Sequence, residues 1–93
     1  MADKKMIYIV EEGEKPEGSA WQLFYTFNLN EARNEAKYHL QRLTKWEKPK
    51  RYIAIYGYDV EVQAGQTAKA AFDEFENDLP WYPDPTFYEE ITE

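Results

Sequence analysis

His39 is the one histidine of the sequence and the only side chain whose ordinary pKa sits near neutrality. Nucleophilic catalysis would need such a base beside a hydroxyl or thiol, with a third group to orient it. The chain has no cysteine, and its one serine, Ser19, falls in a predicted loop. Glu35 and Arg42 are the helical neighbours of His39, so an ion pair within the helix is its expected role. Carboxylates offer a second chemistry, acid–base work or metal binding. Asp59 and Glu61 lie two apart on a predicted strand and so point to one face. Asp73, Glu74, Asn77 and Asp78 gather on a predicted helix. Neither set has the Asp-x-Asp-x-Asp-Gly spacing of a calcium loop or a histidine-rich ligand set. A solvated acidic face accounts for both. The four glycines are scattered, so no phosphate-cradling loop is present. The expectation is a non-enzymatic protein with no catalytic residue, no metal and no cofactor.

Binding chemistry is better represented. Arg42, Lys45, Lys48, Lys50 and Arg51 stand against Glu47 alone, with Trp46 and Tyr52 interleaved. Cations with aromatics are the composition of a nucleic-acid patch. The tyrosines of the same region could add a stacking platform on a sheet face. Against this, the net charge is −7, which repels phosphate. Residues 63–93 hold all of that excess, because the cations and carboxylates of residues 1–62 balance. The expected partner-binding set is therefore Asp73, Glu74, Glu76, Asp78, Trp81, Tyr82, Phe87, Tyr88, Glu89 and Glu90. Its carboxylates would speed encounter with a cationic surface, and its aromatics would supply desolvated anchors. Pro80-Trp81-Tyr82-Pro83 has the bare PxxP spacing but acidic flanks, so a stiff segment laid on the domain's own core is the simpler reading.

The elements that must position these residues follow from periodicity. The 93 residues predict one domain, with a core in 1–62 and an acidic, aromatic extension in 63–93. Aromatics make up 17% of the chain, enough apolar area to set aside the disorder that its acidity would otherwise suggest. Residues 5–12 are apolar on both faces and read as a central strand. Residues 20–27 put Trp21, Leu23, Tyr25 and Phe27 on one face and Phe24 on the other. Asn28 with Glu31 is a capping-box start, and Leu29, Ala32, Ala36, Leu40 and Leu43 carry the helical stripe over 29–46. Pro49 ends it. Residues 51–62 form a third strand, with Ile53 and Ile55 opposite Tyr52, Tyr56, Tyr58, Val60 and Val62. Thr67 is a plausible cap for a second helix bearing Ala68, Ala71, Phe72 and Phe75. Asp84-Pro85 reads as the start of a last short helix with Phe87, Tyr88 and Ile91. The expected fold is α+β: a three-stranded antiparallel sheet in order 2-1-3, one covering helix, and a helical or irregular acidic C-terminal segment. The expected core includes Ile7, Ile9, Leu23, Phe27, Ala36, Leu40, Leu43, Ile53 and Ile55.

No apolar run approaches the length of a membrane span, which takes about 18 residues. The apolar stretch Met6–Val10 is too short for a signal peptide. The expectation is a cytoplasmic protein with no membrane partner. In size and composition, acidic at one end, rich in Tyr and Trp and without a catalytic set, the chain resembles small phage- or mobile-element-encoded inhibitors, anti-CRISPR proteins among them. That resemblance is one of composition and transfers no residue. It implies a small acidic inhibitor or adaptor engaging a basic surface on another protein, such as a nucleic-acid-binding protein. The alternative is a nucleic-acid-binding module using residues 42–52 and the tyrosine-bearing sheet face.

Overall fold

The computed structural model describes residues 3–16, 18–79 and 83–92. In chain order they form β1 (Asp3–Glu14), β2 (Ala20–Thr26), α1 (Leu29–Arg42), a 3-10 turn (Lys48–Lys50), β3 (Arg51–Val62), α2 (Ala68–Asn77) and β4 (Phe87–Ile91). The fold is α+β, and its sheet is antiparallel. It has four strands in the order β2-β1-β3-β4, not three. The expected last helix is β4, which pairs Ile53↔Ile91 through Gly57↔Phe87 on the free edge of β3. Phe87 and Ile91 suit either period, being four apart. The open backbone groups of β3 supply the partner that a local helix signal lacks.

Helix and strand faces explain the layering. Successive residues of a strand point to opposite faces. On one side, Val10, Ile53, Ile55 and Ile91 meet Ala32, Ala36 and Leu43 of the α1 segment. On the other, Ile7, Ile9, Tyr58, Val60 and Val62 meet Ala68, Ala71 and Phe72 of α2. The sheet thus lies between the two helices, and β1 is apolar on both faces because both are covered. No helix among the described residues is long and apolar enough to cross a membrane.

Three local expectations need correction. In β2 the faces are split by a bulge, because Val10 pairs with Phe24 while Glu11 pairs with Gln22. Leu23 is the extra residue, and both Leu23 and Phe24 pack towards α1 while Tyr25 packs towards α2. Phe27 is exposed, with the Lys5 ammonium over its ring, and Leu40 and Leu23 are only half-buried. The first helix ends at Arg42 rather than near residue 46. Thr44 and Glu47 satisfy each other's backbone N–H groups, at 3.0 and 3.2 Å. This second capping box opens a new turn and terminates the first helix.

The first cap is more elaborate than a simple box. The Glu31 N–H donates to the Asn28 side chain at 3.0 Å. The Glu31 carboxylate accepts from the Thr26 hydroxyl at 2.7 Å, and that hydroxyl accepts from the Asn28 N–H. Strand and helix are tied together at that corner.

Candidate functional site

The acidic set divides once its elements are placed. Thr67 caps α2 by accepting from the Ala70 N–H at 3.1 Å. Ala68, Ala71 and Phe72 then face the sheet, which turns the carboxylates outward. Asp73 is held by Lys69 at 3.1 Å within the helix. Glu74 and Asp78 line a groove of about 420 Å³ between α2 and the far end of β3. Asp59, Glu61 and Lys4 border it at the edge of the sheet, where alternation puts the Asp59 and Glu61 side chains on the α1 side with Ile53 and Ile55. Two carboxylate pairs that stand far apart in sequence therefore share one groove. Among the described residues, no group of three or more His, Cys, Asp and Glu side chains is arranged to hold a metal ion.

Strand β4 sorts its own four candidates by parity. Phe87 and Glu89 face α1. Phe87 meets Tyr8 edge-on, with ring centroids 5.6 Å apart. Glu89 receives two hydrogen bonds from Arg33, at 3.1 and 2.9 Å. The Arg33 guanidinium holds the Glu89 carboxyl below its ordinary pKa, and the same hydrogen bonds raise that of Arg33. These two residues belong to the fold and leave the candidate surface. Tyr88 and Glu90 face the α2 side and are exposed. Trp81 and Tyr82 lie outside the described residues, as does Pro80 of the PxxP-like run.

The basic set also divides. Arg51 donates to Glu12 at 2.9 Å, pairs with Glu47 at 3.2 Å and stacks over Trp21. Arg42 donates to the Tyr38 hydroxyl at 2.7 Å and lies over its ring. Lys45 lies over Trp46, whose ring is 74% exposed. Lys48 and Lys50 sit in the 3-10 turn. Tyr52, next to Arg51 on β3, points to the opposite face, so these two do not form one patch. His39 stands 3.7 Å from Glu35, the ion-pair partner expected of it.

One constellation escaped sequence reasoning. Tyr25, Ile9, Tyr56 and Tyr88 form a row straight across all four strands on the α2 side. The Tyr56 and Tyr88 rings are 5.1 Å apart. In the next row stand Gln22, Glu11, Ala54 and Glu90. Tyr52 reaches back from beyond that row, its hydroxyl donating to Glu11 at 3.3 Å. Its ring lies over Gly13, where any side chain would collide with it. Tyr56 lines the same cleft as Glu11. Burial first, and then nearby carboxylate charge, raises the phenol pKa values of Tyr52, Tyr56, Tyr58 and Tyr88. Burial likewise raises that of Tyr25, against the opposing pull of Lys69. All five remain neutral hydrogen-bond donors at physiological pH. The available signal for β4 was the alternation of Tyr88 and Glu90 with Phe87, Glu89 and Ile91.

One side of the sheet therefore carries Tyr25, Tyr52, Tyr56 and Tyr88 with Glu11 and Glu90, and the carboxylate groove runs at its edge beside α2. Comparison of the chain with protein-family models, with curated proteins and with solved structures returns no match.

Proposed function

We propose that the protein is a non-enzymatic binding module that engages a basic surface of another protein through the α2 side of its sheet and the edge of β3 beside it. The observation that carries this reading is the groove that Glu74 and Asp78 line from α2 and that Asp59, Glu61 and Lys4 border at the edge of β3. Such a concentration of like charge has no use in the fold itself, where it costs self-repulsion. Against a cationic surface it speeds encounter and sets orientation. The cationic groove of a nucleic-acid-binding protein is a partner of the right sign, and occupying it would make this chain an inhibitor.

The test begins with a partner purified after pull-down from a lysate. Affinity is then measured across salt concentrations for the parent and for a variant with Asp59→Asn, Glu61→Gln, Glu74→Gln and Asp78→Asn. Steep salt dependence and a loss of about tenfold or more in a variant that melts like the parent is the expected result. Unchanged affinity in the folded variant overturns the reading. The exposed Trp46 beside Lys45 favours a second reading, direct nucleic-acid binding through residues 45–50. Micromolar binding of single-stranded RNA at low salt, weakened by Lys48→Ala or Lys50→Ala, would put that reading first.

A further inference from the structure

The α1 side of the sheet contains an arginine held in a way that the α2 side is equipped to repeat. Arg51 donates to the Glu12 carboxylate at 2.9 Å while its guanidinium lies 5.6 Å from the centroid of Trp21. A carboxylate and an aromatic ring hold one guanidinium between them. Glu11, the next residue, points through the sheet to the other side. There Tyr52 donates its hydroxyl to it at 3.3 Å, and Tyr56 lines the same cleft beside it. Among the described residues no lysine or arginine forms an ion pair with Glu11.

The surroundings of Glu11 are concave. Ile9, Glu11, Gln22, Tyr56, Tyr58 and Phe72 line a cleft of about 270 Å³. That is below the roughly 300–1,000 Å³ of small-molecule sites and is better suited to one side chain. Tyr88, 52% exposed, extends the aromatic wall beside Tyr56. A carboxylate has about four acceptor positions. The Tyr52 phenol uses one of them, which leaves Glu11 able to accept the paired N–H groups of a guanidinium.

Resting on the reading of this side as the surface for a basic partner, we propose that Glu11, Tyr52, Tyr56 and Tyr88 form a receptor for one arginine side chain of that partner. Arginine fits better than lysine for geometric reasons. Its guanidinium is flat, so it lies against a tyrosine face and still directs paired N–H groups at a carboxylate. A lysine ammonium is a compact charge that gains less from a flat aromatic wall.

The experiment uses the full chain and three blocked peptides, acetyl-Gly-X-Gly-X-Gly-amide, with X as arginine, lysine or citrulline. Citrulline keeps the shape of arginine without its charge. Binding is followed by titration calorimetry and by the ring-proton NMR shifts of the tyrosines. The arginine peptide is expected to bind about tenfold more tightly than the citrulline peptide and measurably more tightly than the lysine peptide. It should move the Tyr56 and Tyr88 ring signals. Glu11→Gln should weaken it about tenfold, and Tyr88→Ala about threefold. Tyr88 is exposed enough for that variant to fold, and the ring shifts of the parent locate the peptide without any variant. Equal arginine and lysine binding that responds to Glu74→Gln with Asp78→Asn but not to Glu11→Gln overturns this receptor and leaves the basic-partner reading standing. No binding of either cationic peptide overturns both.

Discussion

The two sides of the sheet handle charge differently. Towards α1, arginines meet carboxylates within the fold: Arg33 with Glu89, Arg51 with Glu12 and Glu47. Towards α2, Lys69 pairs with Asp73, but tyrosines surround Glu11, and Glu74 and Asp78 line a groove that Asp59, Glu61 and Lys4 border at the edge of β3. The packing differs less. Both helices put small residues on the sheet, Ala32 and Ala36 from α1 and Ala68 and Ala71 from α2, and α2 adds the large Phe72 with Phe75 beside it. A closely seated, ion-paired helix on one side is scaffold. The other side retains surface chemistry that the fold does not consume.

The comparison is tested most severely at Phe72. If α2 is part of the core rather than a loosely attached element, Phe72→Ala costs about 3–5 kcal/mol. The residue is only 1% exposed and touches Tyr25, Tyr58 and Phe75. Urea unfolding followed by both far-UV CD and tyrosine fluorescence checks this. A single transition moved to lower urea is expected. Two separated transitions would mean that α2 leaves the sheet independently and that its side is not a prepared surface.

On the α1 side the corresponding weak point is a glycine. A Cβ at Gly57 would meet the Met6 methyl and the Phe87 Cβ, both at 2.8 Å. Phe87 belongs to β4 and is fixed by pairing, so the strain cannot be relieved by one flexible tip. Gly57→Ala is expected to cost about 1–3 kcal/mol by overpacking. Hydrogen exchange should show the loss concentrated in the β3–β4 pairing. A loss spread evenly over the sheet would mean that β4 is not the element displaced.

What could be read in advance follows from how local each signal is. The Asn28 cap, the bounds of β3 and the Thr67 cap are encoded within a few residues, and they appear where the periodicity places them. Strand β4 is not encoded that way. Asp84-Pro85 carries a local helix signal, and only the free edge of β3, thirty residues earlier in the chain, overrides it. The bulge at Leu23 is equally non-local, because it exists only in the pairing with β1. The same reason hid Glu11. Beside Glu12 at the end of an apolar run it reads as a solvated strand end. Its role depends on Tyr52 and Tyr56, which reach it only through the β1–β3 register. The Thr44–Glu47 box, by contrast, was a local signal and legible.

A smaller effect separates scaffold charge from surface charge. Arg33 holds the folded-state pKa of Glu89 below the unfolded value. The stabilisation is therefore present above the ordinary carboxylate pKa of about 4.3 and is lost as pH falls through the depressed folded value. Both partners are at least one-third exposed, so solvent screening keeps the contribution of the pair small. Arg33→Met should cost that small amount at pH 7, and the difference from the parent should vanish in acid. A difference that persists at pH 2 would assign the loss to the packing of the arginine stem instead.

The last effect lies on the α2 side and has the opposite pH sense. Folding raises the pKa of Tyr25, Tyr52, Tyr56, Tyr58 and Tyr88, with burial the main cause. A group with a raised folded pKa contributes stability that is fully present below its unfolded pKa, here about 10, and is lost as pH rises through the folded value. The protein should therefore weaken in alkali, and part of its tyrosine absorbance change should appear above the range of free tyrosine. The charge of Glu11 is a secondary cause shared by Tyr52, Tyr56, Tyr58 and Tyr88. Glu11→Gln removes that charge and leaves burial in place, so the late ionisations should move only part of the way back. Spectrophotometric titration at 295 nm, with melting curves at each pH, measures both. If the late ionisations do not move at all in a folded Glu11→Gln variant, the carboxylate is not coupled to the tyrosines, and the tyrosine cluster is not organised around Glu11.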